Sequence, residues 1–194
     1  MSLATLAELK AHMGITLSDT SQDAKLTAIL AGVEAWITET AAANGRAIVR
    51  ETGRVDLLDG TGSFRLFLPR RPVILVTSIK VDGNATPTWD ASTVVAASGY
   101  RVYADTGIVK RLSDAEWTEG LQNVQVTYDV GYAAIPANLK LGCLTMAAYF
   151  AGEGGGKGLK SETLGKYSYT MQDVEQIPGL LLLLAPYLGF PVAL

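Results

Sequence analysis

Two periodicities alternate along the chain. Apolar residues at Leu26, Ile29, Leu30, Val33, Trp36 and Ile37 recur at helical spacing, with Lys25, Glu34 and Thr38 off the stripe; this predicts an amphipathic helix. Upstream, Thr5 is followed three residues later by Glu8, the arrangement of a capping box, so a first short helix opens at Thr5 and closes at Gly14. A polar linker over 17–21 separates the two helices, and Asn44-Gly45 ends the second.

From about residue 47 to 132 the pattern becomes short β-branched runs cut by Gly, Pro, Asn and Asp. The clearest runs, 64–68, 73–81, 100–104 and 124–130, predict strands. Asp82-Gly83-Asn84 and Asp105-Thr106-Gly107 predict tight turns, because Gly, Asn and Asp tolerate left-handed backbone angles, and hence antiparallel connections. Helical spacing returns at Pro136 and continues through Leu139, Leu141, Leu144, Ala148 and Phe150. A glycine-rich loop over 152–158 breaks that helix, a polar stretch over 161–170 follows, and a last apolar helix starts after Pro178.

The predicted fold class is therefore α+β, a small helical bundle carrying an inserted antiparallel β-rich segment. The boundaries are set where the period changes. Residues 1–46 and 133–194 form the helical core, and 47–132 form the insertion.

Composition narrows the classes of function. Hydrophobic residues make up 48% of the 194 residues and charged ones 18%, below the roughly 25% of ordinary soluble domains, so some apolar surface is expected to meet other subunits. A net charge of −3 argues against a dedicated nucleic-acid binder. With Cys143 as the single cysteine, neither an intrachain disulfide nor a cysteine zinc site can form, which suits an intracellular folding environment. Residues 1–13 carry Glu8 and Lys10 and do not read as a secretion signal, and the apolar run from 179 is too short and broken to span a bilayer, so no membrane role is expected.

Candidate chemistry is sparse. The loop Gly152-Glu153-Gly154-Gly155-Gly156-Lys157-Gly158 invites comparison with a phosphate-binding loop, yet its glycine spacing is too short and Gly158 stands where a hydroxyl residue belongs. The single histidine, His12, sits on a short helix near Lys10 and Glu8, and Cys143 sits among apolar helix residues. Turn and cap roles are expected for the carboxylates: Asp56 and Asp59 bracketing a turn, Asp114 and Glu116 before Trp117, Asp173 and Glu175 before the last helix. No catalytic residue, cofactor site or metal site is predicted, and the protein is expected not to be an enzyme.

Interaction features stand out more. Arg70 and Arg71, between Pro69 and Pro72, are candidate interface arginines that usually would face solvent. The run Leu180 to Leu184 predicts a helix buried on every side. Pro186, Gly189 and Pro191 are expected to stop it, leaving Tyr187, Leu188, Phe190 and Val192 on an irregular apolar tail that either packs into its own subunit or, as candidate docking residues, meets the portal or a neighbouring subunit.

Several stretches, in order, resemble one family. They are Leu6-Ala7-Glu8-Leu9-Lys10-Ala11-His12-Met13-Gly14-Ile15, then 23–37 and Gly45-Arg46; Leu68-Pro69-Arg70-Arg71-Pro72-Val73 with Val81-Asp82-Gly83; Tyr100-Arg101-Val102 and Gly107-Ile108-Val109; Asn123-Val124-Gln125-Val126-Thr127-Tyr128 before Gly131-Tyr132; and Ile135-Pro136 with Leu139-Lys140. To these is added the polar arm, with Ser161, Glu162, Leu164, Gly165, Tyr167 and Ser168. In this the chain resembles the head-tail connector, or adaptor, proteins of long-tailed bacteriophages, in particular longer members with a β-rich insertion. The apolar C-terminus departs from the charged or aromatic end frequent in that family.

The resemblance implies a structural subunit of the virion neck that gathers in the host cytoplasm during assembly. It implies a homo-oligomeric ring, dodecameric in the virion, between the portal protein and the stopper or tail-completion protein, with double-stranded DNA passing through the lumen without specific binding. A different neck or tail-joining role, stopper or tail terminator, is the nearest alternative, and a small nucleotide-binding enzyme using the 152–158 loop is a more distant one.

Overall fold

The computed structural model describes residues 2–84, 87–112, 115–152 and 179–189. The chain divides into two compact units, Met1–Asn44 with Ala134–Leu194, and Gly45–Ala133.

In the first unit the described helices are α1 (Leu6–His12), α2 (Asp23–Ala43), α3 (Ala137–Gly152) and α4 (Leu180–Leu188). The capping box forms as the sequence predicts: the Glu8 backbone N–H donates to Thr5 Oγ1 at 3.2 Å, and the Thr5 N–H donates to the Glu8 carboxylate at 2.8 Å. The same Glu8 carboxylate accepts from Lys140 Nζ at 2.7 Å, which ties α1 to α3 and holds the Glu8 carboxyl below its ordinary range. Lys10 is 3% exposed. Its ammonium is satisfied by the Asp19 carbonyl at 2.7 Å and by an ion pair with Asp23, so the polar linker folds back around a buried charge.

α2 buries Leu26, Leu30, Val33, Ile37 and Ala41 and packs on α3. α3 packs in turn on α4 at Gly142, where an added Cβ would lie 2.5 Å from Leu184 Cδ2; glycine permits that close approach.

The second unit holds two three-stranded antiparallel sheets. The first has the order β1 (Glu51–Gly60), β6 (Gly120–Val130), β3 (Val73–Val81); the second is β2 (Arg65–Phe67), β5 (Ile108–Arg111), β4 (Tyr100–Tyr103). They share one core of Leu66, Leu68, Val73, Ile79, Val109, Trp117, Val124, Val126, Tyr128 and Val130. The alternation of β6 explains it, with Val124, Val126, Tyr128 and Val130 inward and Gln125 and Thr127 outward. Trp117 Nε1 donates to the Val109 carbonyl at 3.3 Å, and the Arg111 guanidinium lies 5.2 Å from the Trp117 ring centre.

Two readings of the sequence are corrected here. Asp56 and Asp59 do not bracket a turn; both lie within β1. On the inward face Arg54 grips Asp56 with two hydrogen bonds of 2.9 and 3.0 Å, and Tyr128 Oη donates to the same carboxylate at 2.5 Å. Asp59 accepts the N–H of Gln122, a non-glycine residue at φ 47°. The second correction is that α4 does not stop before Pro186 but runs through it to Leu188. Asn44 Nδ2 donates to the Leu188 carbonyl at 2.8 Å, and Gly189, at φ 78°, closes the helix; these contacts hold the last turn together although Pro186 brings no N–H.

Candidate interaction surfaces

The outward faces of both sheets are built by strand register, since directly paired residues on antiparallel strands point the same way. On the first sheet Val55 pairs with Thr127 and Leu57 with Gln125 on one side, while Ser78 and Lys80 pair with the same two residues on the other; Leu75 pairs with Asp129. Val55, Leu57 and Leu75 are exposed there. The second sheet buries Leu66 and Val109 and turns Arg65, Lys110 and Arg101 outward in one cross-strand row, with Phe67, Ile108 and Tyr103 in the next.

In the helical unit, α4 is not buried on every side, contrary to the sequence reading. Leu180, Leu184 and Leu188 recur every four residues and are buried, whereas Leu181 and Leu182 are 38% and 70% exposed. Among the predicted docking residues, Leu188 is fully buried within its own unit, because the helix continues and carries it onto the inner stripe. Tyr187 is half-buried, and Phe190 and Val192 lie outside the described residues.

Ser161, Glu162, Leu164, Gly165, Tyr167 and Ser168 of the polar arm also lie outside the described residues, as does the glycine loop beyond Gly152. Arg70 and Arg71 are half-buried, not solvent-facing. The backbone of Arg71 explains its position: its N–H donates to the Gly45 carbonyl at 3.0 Å and its carbonyl accepts from the Ala47 N–H at 2.7 Å.

Two carboxylates of the β unit are held below the ordinary 3.8 by the hydrogen bonds they accept. Asp129 accepts from the Gly53 N–H and from Arg50, and Asp82 from the N–H groups of Thr88 and Asn84. Depressed carboxyls stabilise the fold above 3.8, and that contribution is lost as pH falls through their folded values. The melting temperature of the β unit should therefore stay level from pH 7 to about 4.5 and fall steeply below pH 4. The double variant D82N/D129N, followed by circular dichroism, should start lower at pH 7 and show a shallower acid decline.

Cys143 is buried on α3, and burial, with the Glu34 charge adding to it, pushes its thiol up to about 12. A protonated, enclosed thiol is a poor nucleophile. Iodoacetamide at pH 8 should leave native protein largely unlabelled and react fully in 6 M guanidinium, as intact mass would report.

Among the described residues, no group of three or more His, Cys, Asp or Glu side chains could hold a metal ion, and no helix is long and apolar enough to cross a membrane. What the geometry offers is surface for association.

Over residues 2–178 the chain matches the family described as HCP: Head completion protein. Comparison with curated proteins finds no match. Among solved structures, the chain is similar in fold to one from the neck of an empty GTA particle computed with C6 symmetry, at 21% identity and a TM-score of 0.56, covering 95% of this chain and 88% of that one. A chain of the virion of a native gene transfer agent (GTA) particle gives 20% identity and a TM-score of 0.54, with 95% and 89% covered. A chain from the neck of the native GTA particle, computed with C12 symmetry, gives 18% and 0.50, with 94% and 86% covered.

Proposed function

The chain belongs to the head completion protein family, and from that premise we propose that it is a structural ring subunit of the neck of a tailed phage or phage-like particle. It acts as the adaptor between the portal and the stopper or tail-completion protein, and duplex DNA passes through its lumen. The observation that carries this reading is the family match over residues 2–178, which spans both compact units. The fold likeness to neck and virion chains of gene transfer agent particles supports the same place in the particle. The C12 symmetry of one of those necks is in keeping with a dodecamer.

The mechanism is assembly. Ring closure needs a heterologous contact in which one face of a subunit meets a different face of the next until the rotation closes. The exposed apolar groups fit that use: Val55, Leu57 and Leu75 on the first sheet, Leu181 and Leu182 on α4. Apolar side chains left in water by one subunit gain free energy when a neighbour covers them. No covalent step is involved, so the protein is read as non-enzymatic.

Light scattering and negative-stain microscopy of the purified chain, across a concentration series with and without portal, test the reading. Rings at high concentration or on portal are the expected result. A compact monomer under every condition, or a melting temperature raised by ATP with magnesium, would overturn it.

A further inference from the structure

The outward face of the second sheet carries three cations side by side. Arg65 on β2 pairs with Lys110 on β5, and Lys110 pairs with Arg101 on β4. All three side chains are exposed, and among the described residues no acidic side chain forms an ion pair with any of them. This sets them apart from Arg50 and Arg54, whose charges are matched by Asp129 and by Asp56 with Glu51.

Strands lie about 4.8 Å apart, so the row spans about 10 Å, and like charges placed directly opposite destabilise a sheet. The next row on the same face, Phe67, Ile108 and Tyr103, carries no charge that could offset the first. Phe67 is 61% exposed although its neighbours Leu66 and Leu68 are buried, so the face combines a cationic row with an apolar one. The chain's net charge of −3 conceals this local surplus.

We propose that this face binds the phosphate backbone of duplex DNA, weakly and without regard to sequence. A row of arginine and lysine with no acid or amide set among them recognises repeated negative charge and lacks the patterned donors and acceptors that read base edges. Each strand of duplex DNA presents about one charge per 3.4 Å of axis, so a 10 Å row faces roughly three phosphates of one strand, enough to engage all three cations. Duplex DNA as the occupant, in preference to an acidic protein, rests on the neck-ring reading above. The binding itself is tested on the isolated chain, so its failure would leave that reading standing.

Binding of a fluorescent 30-base-pair duplex to the full chain is measured by anisotropy against salt. Three neutralised phosphates give a slope of log Kobs on log salt near −2.7, so affinity should fall about 40-fold between 50 and 200 mM salt. The triple variant R65Q/R101Q/K110Q should keep its circular dichroism and lose most of the binding. The equally charge-changing variant K157Q/K160Q/K166Q should retain it.

K110E separates a binding role from a structural one. Placing an acid between Arg65 and Arg101 should raise the melting temperature by a degree or two while weakening DNA binding at least tenfold. The proposal is overturned if the two triple variants lose affinity equally, if K110E binds as tightly as wild type, or if poly-glutamate competes as well as duplex DNA at equal charge concentration.

Discussion

Replacing Gly60 with alanine is expected to lower the melting temperature of the β unit by about 8 °C or more. Gly60 ends β1 opposite Gly120 at the tip of the first sheet, and its N–H donates to the buried Asn123 Oδ1 at 2.8 Å. Asn123 also donates to the Thr118 carbonyl at 2.9 Å, so one side chain fastens three segments. A Cβ at Gly60 would sit 1.7 Å from the Thr118 carbonyl oxygen and 2.8 Å from Asn123 Oδ1. The first obstacle is main chain that cannot swing aside, and relieving it breaks the asparagine bonds. Overpacking costs about 1 to 3 kcal/mol where side chains can adjust, and breaking buried hydrogen bonds adds about 1 to 3 kcal/mol more. Against a total stability of roughly 5 to 15 kcal/mol, the combined loss of about 2 to 6 kcal/mol should lower the melting temperature by about 8 °C or more. G32A provides the contrast. Gly32 lies mid-helix in α2 with nothing within 4 Å of the added Cβ, so alanine there should stabilise by about 0.5 to 1 kcal/mol. Calorimetry of the two variants tests both signs.

The same strand shows where sequence patterning stops being readable. The α2 stripe and the Thr5–Glu8 box were legible because local spacing determines both. So were the runs that became β3, β4 and β6, whose apolar residues alternate or run together as strands in a core do. β1 was not legible, because its binary pattern is inverted. Arg54 and Asp56 take inward positions beside Tyr128, where they neutralise one another, while Val55 and Leu57 face outward. A rule that places apolar residues inside reads such a segment as a loop.

The row of Arg65, Lys110 and Arg101 was hidden for a different reason. Lys110 pairs with Arg101 nine positions before it and with Arg65 forty-five positions before it, and nothing in local sequence records the second register. α4 misled in a third way. Five successive leucines suggested burial all round, but a helix laid on α3 covers one stripe and leaves the rest to solvent or to a partner.

That stripe yields opposite expectations for two changes in α4. Leu188 is 0% exposed and its carbonyl is capped by Asn44, so deleting residues 186–194 removes a buried leucine and uncaps the helix. Burying a leucine contributes about 1.5 to 3 kcal/mol, and losing the Asn44 hydrogen bond costs about 1 kcal/mol more. The helical unit of the truncated chain should therefore melt several degrees lower. L181Q/L182Q does the reverse. Both side chains already meet solvent in the free subunit, so the double variant should melt within about 4 °C of wild type, since exposed substitutions typically change stability by under about 0.5 kcal/mol each. If α4 carries the contact between ring neighbours, each interface loses the exposed parts of two leucines, about one leucine's worth of surface and roughly 1.5 to 3 kcal/mol before ordering costs, and the loss recurs at every contact around the ring. Ring formation should move to at least tenfold higher protein concentration, as measured by analytical ultracentrifugation beside thermal melts. Rings that form at the wild-type concentration would move the contact to Val55, Leu57 and Leu75 on the first sheet, where V55Q/L57Q should then abolish it.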